Sequence, residues 1–306
     1  MKIAVIINSI SQPRKRRAII AALREKLDGH DLDVRLTEYR GHATLLARQA
    51  AESGVEVLIV AGGDGTIGEA VNCMIGSTVR LAVIPTGTAN DLADYLGISG
   101  SITQACDVIC RGRSRQIDVL QINRRHVLTT AGFGIGCETI AQANRLRRVQ
   151  FGGVSLTQIV GNRLYPLGYA IAVVQKQGWP HELNVRQNGL SFNYSSLSLT
   201  ISNLPRLGHR FIMAPGATAD DGLFDVCVIG DCGRVGALRS VIRAHRGLTP
   251  DTPRVRQWRA TDLVVESTRP ISCFGDGELI STSTHFEIHV IPGAVTFMVP
   301  GETEVE

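Results

Sequence analysis

The first 120 residues alternate apolar strand patterns with helix patterns, and this alternation constrains the fold more than any other feature. Nearly continuous apolar runs are typical of strands that are covered on both faces of a sheet. The predicted strands are Lys2–Ile7, Val34–Leu36, Val55–Ala61 and Leu81–Ile84. The predicted helices are Pro13–Leu27, Ala43–Glu52 and a third that ends near Met74. This order predicts a parallel sheet with helices on both faces.

After about Ile117 the strand patterns are no longer separated by regular helices. The dipeptide Asn188-Gly189 predicts a hairpin turn. Phe286, Ile288 and Val290 alternate with polar residues, as in a half-buried antiparallel strand. Further strands are predicted at Val127–Ala131, Leu197–Ile201, Phe224–Ile229, Leu263–Glu266, Ile271–Phe274 and Val295–Val299. We therefore expect an antiparallel sheet assembly with two helical insertions, near Glu138–Arg148 and Ser155–Gln175.

The length of 306 residues suggests two domains, at the usual size of about 150 residues each. We expect an α/β domain over residues 1–124, to which residues about 291–306 return, and a second domain over 125–290. No low-complexity linker separates the two halves. Domains joined in this way often place a ligand site in the cleft between them.

Composition excludes several classes of protein. The hydrophobic fraction of 44% argues against disorder, and no apolar run reaches the roughly 18 residues of a membrane-spanning helix. The first residues lack a signal-peptide pattern, and the seven scattered cysteines suggest reduced thiols, so we expect a cytoplasmic protein. A net charge of +4 is too small to indicate nucleic-acid binding.

Basic residues nevertheless cluster locally. Arg14-Lys15-Arg16-Arg17 opens the first predicted helix, where the cluster fits either a solvated helix face or contact with an anionic membrane. The same two interpretations apply to two further groups: Arg145, Arg147 and Arg148, and then Arg234, Arg239, Arg243, Arg246, Arg254, Arg256 and Arg259. The apolar stretch Leu164–Val174 follows the first of these groups and fits ordinary core better than membrane contact.

The segment Gly62-Gly63-Asp64-Gly65-Thr66 lies between a predicted buried strand and a helix. Glycines allow a ligand to approach the backbone, and the N-terminus of the following helix suits phosphate. Asp64 would repel phosphate unless a cation such as Mg²⁺ intervened. From these residues alone, a tight turn with a capping aspartate is an equal alternative.

A second polar loop, Pro85-Thr86-Gly87-Thr88-Ala89-Asn90-Asp91, follows the next strand. Because the carboxyl ends of parallel strands meet at one edge, the two loops together favour a nucleotide-phosphate site over two unrelated turns. The match of Gly63, Gly65 and Gly68 to the dinucleotide fingerprint is weak, since no acid closes the next strand. A Walker A loop is absent from the sequence.

Two other glycine segments have competing interpretations. Gly132-Phe133-Gly134-Ile135-Gly136 fits a bend where two backbones pack better than it fits a ligand site. Phe274-Gly275-Asp276-Gly277-Glu278 fits a type I′-like turn with solvated acids. Its alternative is a general base, Asp276, with a second acid, Glu278, beside it.

Together these segments resemble the diacylglycerol kinase catalytic-domain family, which includes bacterial lipid kinases and the sphingosine and ceramide kinases. The matching residues follow the family's order over most of the chain: Gly62–Thr66 with Glu69 and Asn72, Pro85–Asp91, Asp118, Gly132–Gly134, Asp220–Val226 and Asp276–Glu278. The resemblance implies an α/β N-terminal domain with a parallel sheet, like that of NAD kinases and phosphofructokinases, and an antiparallel β-sandwich C-terminal domain. It also implies an enzyme that uses ATP and Mg²⁺.

The resemblance further implies roles for single residues. Nucleotide-binding residues would be Asn8, Gly62, Gly63, Asp64, Gly65, Thr66, Thr86, Gly87, Thr88 and Asn90. Asp276 would take the proton from the acceptor hydroxyl, with Glu278 beside it. Asp64 and Asp118 would order Mg²⁺ and water, and a structural Mg²⁺ would use Asp221 with the Thr218 and Leu223 carbonyls.

The leading functional hypothesis is an ATP-dependent kinase of a membrane lipid, with diacylglycerol converted to phosphatidic acid as the first choice. Sphingoid bases, phosphatidylglycerol and isoprenoid alcohols are alternative acceptors, and reversible association with the anionic membrane is expected. A regulator with weak catalysis is a second hypothesis, because Asn8-Ser9-Ile10-Ser11-Gln12 replaces the family's Asn-Pro-x-Ser-Gly loop. A soluble-metabolite kinase related to NAD kinases is a third. Oligomeric state, a homodimer included, stays open.

Overall fold

The computed structural model describes residues 1–9, 12–87, 89–98, 100–151, 154–155, 164–175, 180–207, 211–246 and 254–301. The chain divides into two compact units. The first comprises Met1–Val119 together with Ile291–Glu306, and the second comprises Leu120–Val290. Among the described residues, no helix combines the length and apolarity that crossing a membrane requires.

The first unit is built on a parallel sheet. Every neighbouring pair of its strands is parallel, and the strands lie across the sheet in the order Glu278–Val299, Arg80–Pro85, Val57–Gly62, Lys2–Ile7 and Asp31–Leu36. The strands are β1 (Lys2–Ile7), β2 (Asp31–Leu36), β3 (Val57–Gly62), β4 (Arg80–Pro85), β5 (Arg113–Ile122) and β17 (Glu278–Val299), of which β5 and β17 continue into the second unit. The helices are α1 (Pro13–Lys26), α2 (His42–Glu52), α3 (Asp64–Val71), α4 (Asp91–Tyr95) and α5 (Ile102–Arg111).

The apolar runs of the sequence form the centre of this sheet. All six residues of β3 are buried, and so are five of the six residues of β1. Helix α1 buries Ile19 and Leu23 and begins at Pro13, whose ring is compatible with a first helical turn. These elements confirm the predicted parallel α/β architecture. Helix α5, which the sequence analysis missed, is capped by Ser101, whose Oγ accepts a hydrogen bond from Gln104 N (3.4 Å).

The second unit is mainly antiparallel. Its remaining strands are β6 (Arg125–Val127), β7 (Thr130–Gly134), β8 (Gln150–Phe151), β9 (Val154–Ser155), β10 (His181–Gln187), β11 (Leu190–Ser202), β12 (Arg206–Leu207), β13 (Phe211–Ile212), β14 (Phe224–Gly230), β15 (Val255–Ala260) and β16 (Asp262–Gly275). Its helices are α6 (Ile135–Arg147), α7 (Leu164–Gln175) and α8 (Gly233–His245).

Two long strands give this unit its layered form. Both β11 and β16 pair with β10 along one part of their length and with β7 along another. The sheet therefore folds over an apolar core, in which the rings of Phe133 and Phe286 meet edge to face at 4.8 Å. This arrangement confirms the predicted antiparallel sandwich.

Several local predictions are confirmed and others are revised. Gln187 pairs with Leu190, so Asn188-Gly189 is the predicted two-residue hairpin. A Cβ on Gly132 would lie 2.5 Å from the carbonyl oxygen of Leu199, which confirms close backbone packing there. The segments predicted separately at 263–266 and 271–274 form the single strand β16, and β17 likewise joins two predicted strands. Helix α7 falls inside the predicted insertion at 155–175, whereas residues 156–163 lie outside the described part.

Candidate functional site

The loop after β3 is shaped by contacts that leave no room for side chains. A Cβ on Gly62 would lie 2.6 Å from Cβ of Thr66, and a Cβ on Gly63 would lie 3.0 Å from Cα of Gly87. In contrast, a Cβ on Gly65 would meet no atom of the described residues within 4 Å, so packing against them does not require this glycine. Gly65 is exposed and lies in the first turn of a helix. A residue without a side chain at such a position allows a ligand to approach the backbone closely.

The loop after β4 lies directly against the first loop. Thr86 N donates to the carbonyl oxygen of Gly62 (2.9 Å). The Asn90 side chain spans its own loop, because its Oδ1 accepts from Gly87 N (2.9 Å) and its Nδ2 donates to Gly87 O (3.0 Å). Asn90 has a φ of 56°, a left-handed conformation that asparagine tolerates well. The expectation that the two loops meet at one edge is confirmed, although Thr88 lies outside the described residues.

Asn8 joins these loops from the end of β1. Its backbone N–H donates to Ala61 O (2.9 Å), and its Nδ2 donates to Oγ1 of Thr66 (2.7 Å). Strands β1, β3 and β4 are neighbours in the sheet, so three consecutive carboxyl ends deliver polar groups to one edge. Asn8 therefore keeps its place beside the glycine loop, whereas Ile10 and Ser11 lie outside the described residues.

The start of α3 presents backbone donors at this edge. The residue before the helix is Gly63, which has no side chain that could cap the first turn. Thr66 N and Ile67 N donate to Gly63 O (3.0 and 3.1 Å), so the helix is formed from its first turn onward. Helix N-termini of this kind attract anions through free N–H groups and the helix dipole.

Two carboxylates of α3 hold the starts of neighbouring helices. The Asp64 carboxylate accepts from Leu92 N (3.3 Å), in the first turn of α4. Burial raises the pKa of the Asp64 carboxyl, and the N–H groups of Leu92, Asp91 and Asn90 oppose that rise. Asp64 thus anchors the second loop, because its carboxylate accepts a hydrogen bond from the first turn of α4 although Asp64 itself lies in α3.

Glu69 performs the equivalent task for α2. Its Oε1 accepts from Gly41 N (2.8 Å), its Oε2 accepts from Ala43 N (3.3 Å), and its carbonyl oxygen accepts from Oγ1 of Thr44. Glu69 belongs to the motif that resembles the family, but the sequence alone indicates no role for it. Its position five residues after Asp64, on the same helix as the glycine loop, was the available signal.

Asp118, the second acid predicted to order Mg²⁺, is a buried anchor as well. Its side chain lies in β5, the residue is 1% exposed, and its Oδ1 accepts from Gly293 N (2.7 Å). Gly293 has a φ of 56°, so Asp118 fixes a left-handed residue within β17. Among the described residues, no group of three or more His, Cys, Asp or Glu side chains is placed to hold a metal. Coordination by Asp64 and Asp118 stays a prediction.

The predicted structural magnesium site contains an arginine. Arg259 of β15 lies opposite Asp225 of β14, with its Nε 3.6 Å from Asp225 Oδ1 and its Nη1 3.5 Å from Asp221 Oδ2. Its Nη2 also donates to Gly216 O (2.9 Å), and Asp221 Oδ1 accepts from Leu223 N (3.0 Å).

Burial raises the pKa of the Asp225 carboxyl, the Arg259 guanidinium opposes that rise, and the Asp221 carboxylate adds to it. The negative charge of Asp221 and Asp225, which the sequence suggested a cation would neutralise, is therefore neutralised in part by the Arg259 side chain. The Arg259 guanidinium competes with a cation for both carboxylates, and a magnesium site formed by Asp221, Thr218 and Leu223 stays a prediction.

In the second unit, Asp276 begins a tight turn. Asp276 and Gly277 have φ values of 50° and 76°, and two successive left-handed residues are characteristic of a type I′ turn. The Asp276 carboxylate accepts from Leu128 N (3.1 Å), from Thr129 N (2.8 Å) and from Oγ1 of Thr129 (2.8 Å). The turn prediction is confirmed, but Asp276 is oriented by the protein rather than only solvated, while Glu278 is exposed.

The two halves of the chain match models of known domains. Residues 2–122 match the diacylglycerol kinase catalytic domain, and residues 140–299 match the YegS C-terminal NAD kinase beta sandwich-like domain. The chain belongs to the diacylglycerol kinase-like family of lipid kinases. It is therefore an enzyme of the kinase type, as the resemblance of its motifs implied.

Relatives of the family support this assignment over nearly the whole length. The chain is 27% identical over 300 residues to "Probable lipid kinase YegS-like" of Xanthomonas euvesicatoria pv. vesicatoria, covering 94% of this chain and 92% of the relative. It is 26% identical over 279 residues to a protein of the same name from Alcanivorax borkumensis, covering 89% and 88%.

A solved structure shares the fold of this lipid kinase. It is described as "Crystal structure of a putative diacylglycerol kinase from Bacillus anthracis str. Sterne", and it matches with a TM-score of 0.79 at 21% identity. The match covers 99% of this chain and 98% of the other. At this identity the likeness establishes the fold of both units.

Proposed function

We propose that this lipid kinase transfers the γ-phosphoryl group of ATP to the hydroxyl of a membrane lipid, with diacylglycerol as the leading acceptor and phosphatidic acid as the product. One observation carries the nucleotide half of the proposal. Two glycine loops touch backbone to backbone at the edge where α3 begins, and Asn8 is bonded to the same loop. Phosphate is the ligand that this combination of donors and open space suits best.

The proposed donor site consists of residues from all three strand ends: Asn8, Gly62, Gly63, Asp64, Gly65, Thr66, Thr86, Gly87, Thr88 and Asn90. The phosphates would lie over Gly65, where no atom of the described part of the chain fills the space that a Cβ would take. Asp64 would act here by holding the Asn90–Leu92 backbone in place. Any Mg²⁺ would neutralise phosphate charge and would enter with the nucleotide.

The proposed chemical step needs a base for the acceptor hydroxyl. Asp276 would accept the hydroxyl proton as the lipid oxygen bonds to the γ-phosphorus and the bond to the β-phosphate bridging oxygen breaks, releasing ADP. Its carboxylate is held by the Leu128 and Thr129 N–H groups, which fixes the orientation of the carboxylate. Glu278, two residues later and exposed, would add negative charge beside the acceptor.

A labelled-phosphate assay tests the proposal. The enzyme is incubated with [γ-³²P]ATP and Mg²⁺ against diacylglycerol, a sphingoid base, phosphatidylglycerol or an isoprenoid alcohol in mixed micelles, and the products are identified by mass spectrometry. Labelled phosphatidic acid is the expected result. Label in another lipid would identify that lipid as the acceptor in place of diacylglycerol. Label only in water-soluble products would favour a kinase of a soluble metabolite. ATP binding without phosphoryl transfer would favour a regulator.

A further inference from the structure

Helix α8 exposes an apolar stripe to solvent. Val235, Leu238 and Ile242 are 65%, 49% and 44% exposed, and their spacing of three and four residues places them on one face. The opposite face buries Ala237, Ser240 and Ala244. The helix is therefore attached through small residues and presents its large apolar side chains outward.

The attachment of α8 to α7 is specific. Tyr169 Oη donates to Ala237 O (2.8 Å), and Arg234 Nη2 donates to Val174 O (3.1 Å). Val174 is itself 70% exposed, so the end of α7 adds a fourth apolar side chain near the start of α8. We call Val174, Val235, Leu238 and Ile242 the α8 face. Single exposed apolar residues are common on protein surfaces, but a stripe of them on one helix marks an interaction surface.

Arginines flank the α8 face. Arg234 lies on one side of the stripe, and Arg239 and Arg246 lie on the other, all three exposed. The helix sequence Gly233–His245 contains no acidic residue. An apolar stripe between arginines is complementary to a surface that offers phosphates outside and hydrocarbon beneath.

Helix α1, the basic helix near the N-terminus, lacks this combination. Helix α1 contains Arg14, Lys15, Arg16 and Arg17, but its large apolar residues Ile19 and Leu23 are buried and it also contains Glu25. Charge alone would hold α1 to a membrane only weakly and at low salt. Between α1 and α8, only the α8 face has both the apolar stripe and the flanking positive charge that an interfacial helix needs.

We propose that the α8 face docks this kinase on an anionic lipid bilayer, with the apolar side chains in the headgroup boundary and the arginines on lipid phosphates. The proposed function explains why the enzyme would dock, namely to reach a lipid acceptor, and the docking rests on it in that respect alone. Vesicle binding is measured without ATP or acceptor, so the docking and the lipid-kinase activity fail or hold separately.

Co-sedimentation with vesicles of phosphatidylcholine, with and without phosphatidylglycerol, tests the proposal. The wild-type enzyme should bind the anionic vesicles, and added salt should weaken binding. The double variant Leu238→Ser/Ile242→Ser should bind about tenfold more weakly or worse. Arg239→Gln should bind about fivefold more weakly, and the matched variant Lys15→Gln/Arg17→Gln on α1 should bind like the wild type.

Three further measurements separate the outcomes. Thermal unfolding of the double variant should match the wild type, since the replaced side chains are exposed; a lowered melting temperature would move the test to Arg239→Gln alone. Equal vesicle binding by wild type and variants, or equal binding to neutral and anionic vesicles, would overturn the docking. So would a change from dimer to monomer in sedimentation velocity without loss of vesicle binding, since a second copy would then cover the α8 face. Activity on micelles should be unchanged in the double variant.

Discussion

A Cβ on Gly87 would stand 2.6 Å from Cα of Gly63, closer than real side chains approach a backbone. Neither partner is a flexible side chain that could move aside, so the two loops of the proposed nucleotide site are locked by the absence of side chains. From this contact we expect different effects of alanine at Gly87, which packs against the other loop, and at Gly65, which does not.

Gly87→Ala should separate the loops and destabilise the protein by about 1–3 kcal/mol, since it overpacks backbone against backbone. Gly65→Ala is the matched change on α3, where a Cβ would meet none of the residues that the structure describes. Its melting temperature should be unchanged or slightly higher, because alanine favours helix by up to about 1 kcal/mol. Its ATP affinity, measured by calorimetry, should nevertheless fall. Wild-type affinity in Gly65→Ala would show that no phosphate approaches this residue.

The anchoring role of Asp64 predicts different results for two substitutions. Asp64→Asn keeps an oxygen acceptor for Leu92 N and should stay within about 1 kcal/mol of wild-type stability, whereas Asp64→Ala should cost about 1–3 kcal/mol by leaving that donor without its acceptor. Urea unfolding measures both. A role in ordering Mg²⁺ would appear separately, as a loss of turnover in Asp64→Asn that higher Mg²⁺ concentrations partly restore.

Arg259 predicts that the fold of the second unit does not need a divalent cation. EDTA should leave the wild-type melting temperature unchanged, because the guanidinium already faces Asp221 and Asp225. Arg259→Gln should lose about 1 kcal/mol and gain a dependence on Mg²⁺. Arg256→Gln, an exposed change on the same strand, is the control. A lower melting temperature of the wild type in EDTA would instead support the structural magnesium that the family resemblance implies.

His285 predicts a pH dependence of stability. Hydrogen bonds with Glu287 and Glu266 raise the pKa of its imidazole above the ordinary 6.5. The protonated ring therefore stabilises the fold fully below about pH 6.5, and this contribution is lost as the pH rises through the raised value. Since the ring is exposed, the effect should stay below about 1 kcal/mol.

Urea unfolding between pH 5 and pH 9 measures this contribution of His285. The decline with rising pH should be smaller in His285→Gln than in the wild type, while His289→Gln, an exposed change on the same strand, should follow the wild type. A decline of the same size in His285→Gln and wild type would contradict the assignment.

The sequence predicts which loops of the candidate site lie together, but it does not predict the partners of the acidic side chains. Loops after β3 and β4 could be placed together because parallel strands share a carboxyl edge. The hydrogen-bond partner of Asp64 could not be predicted, since it depends on where α4 packs. Arg259 meets Asp221 only through the pairing of β14 with β15, and β15 carries too many polar residues to be recognised as a strand. The sequence predicts two strands where the structure has the single strand β16, because Ser267–Pro270 interrupts the apolar alternation.

Asp276 gives the most direct test of the proposed chemistry. Asp276→Asn keeps a residue that tolerates the left-handed φ of 50°, and it keeps one oxygen acceptor for Thr129 N. If the carboxylate takes the hydroxyl proton, turnover should fall by about 10²–10⁴ while the melting temperature changes little. Thr129→Val is the matched control, because it removes the Oγ1 donor to Asp276 and leaves the carboxylate itself in place. Its turnover should fall far less. A variant Asp276→Asn with wild-type turnover and a lowered melting temperature would make Asp276 a clamp of the turn and remove it from the reaction.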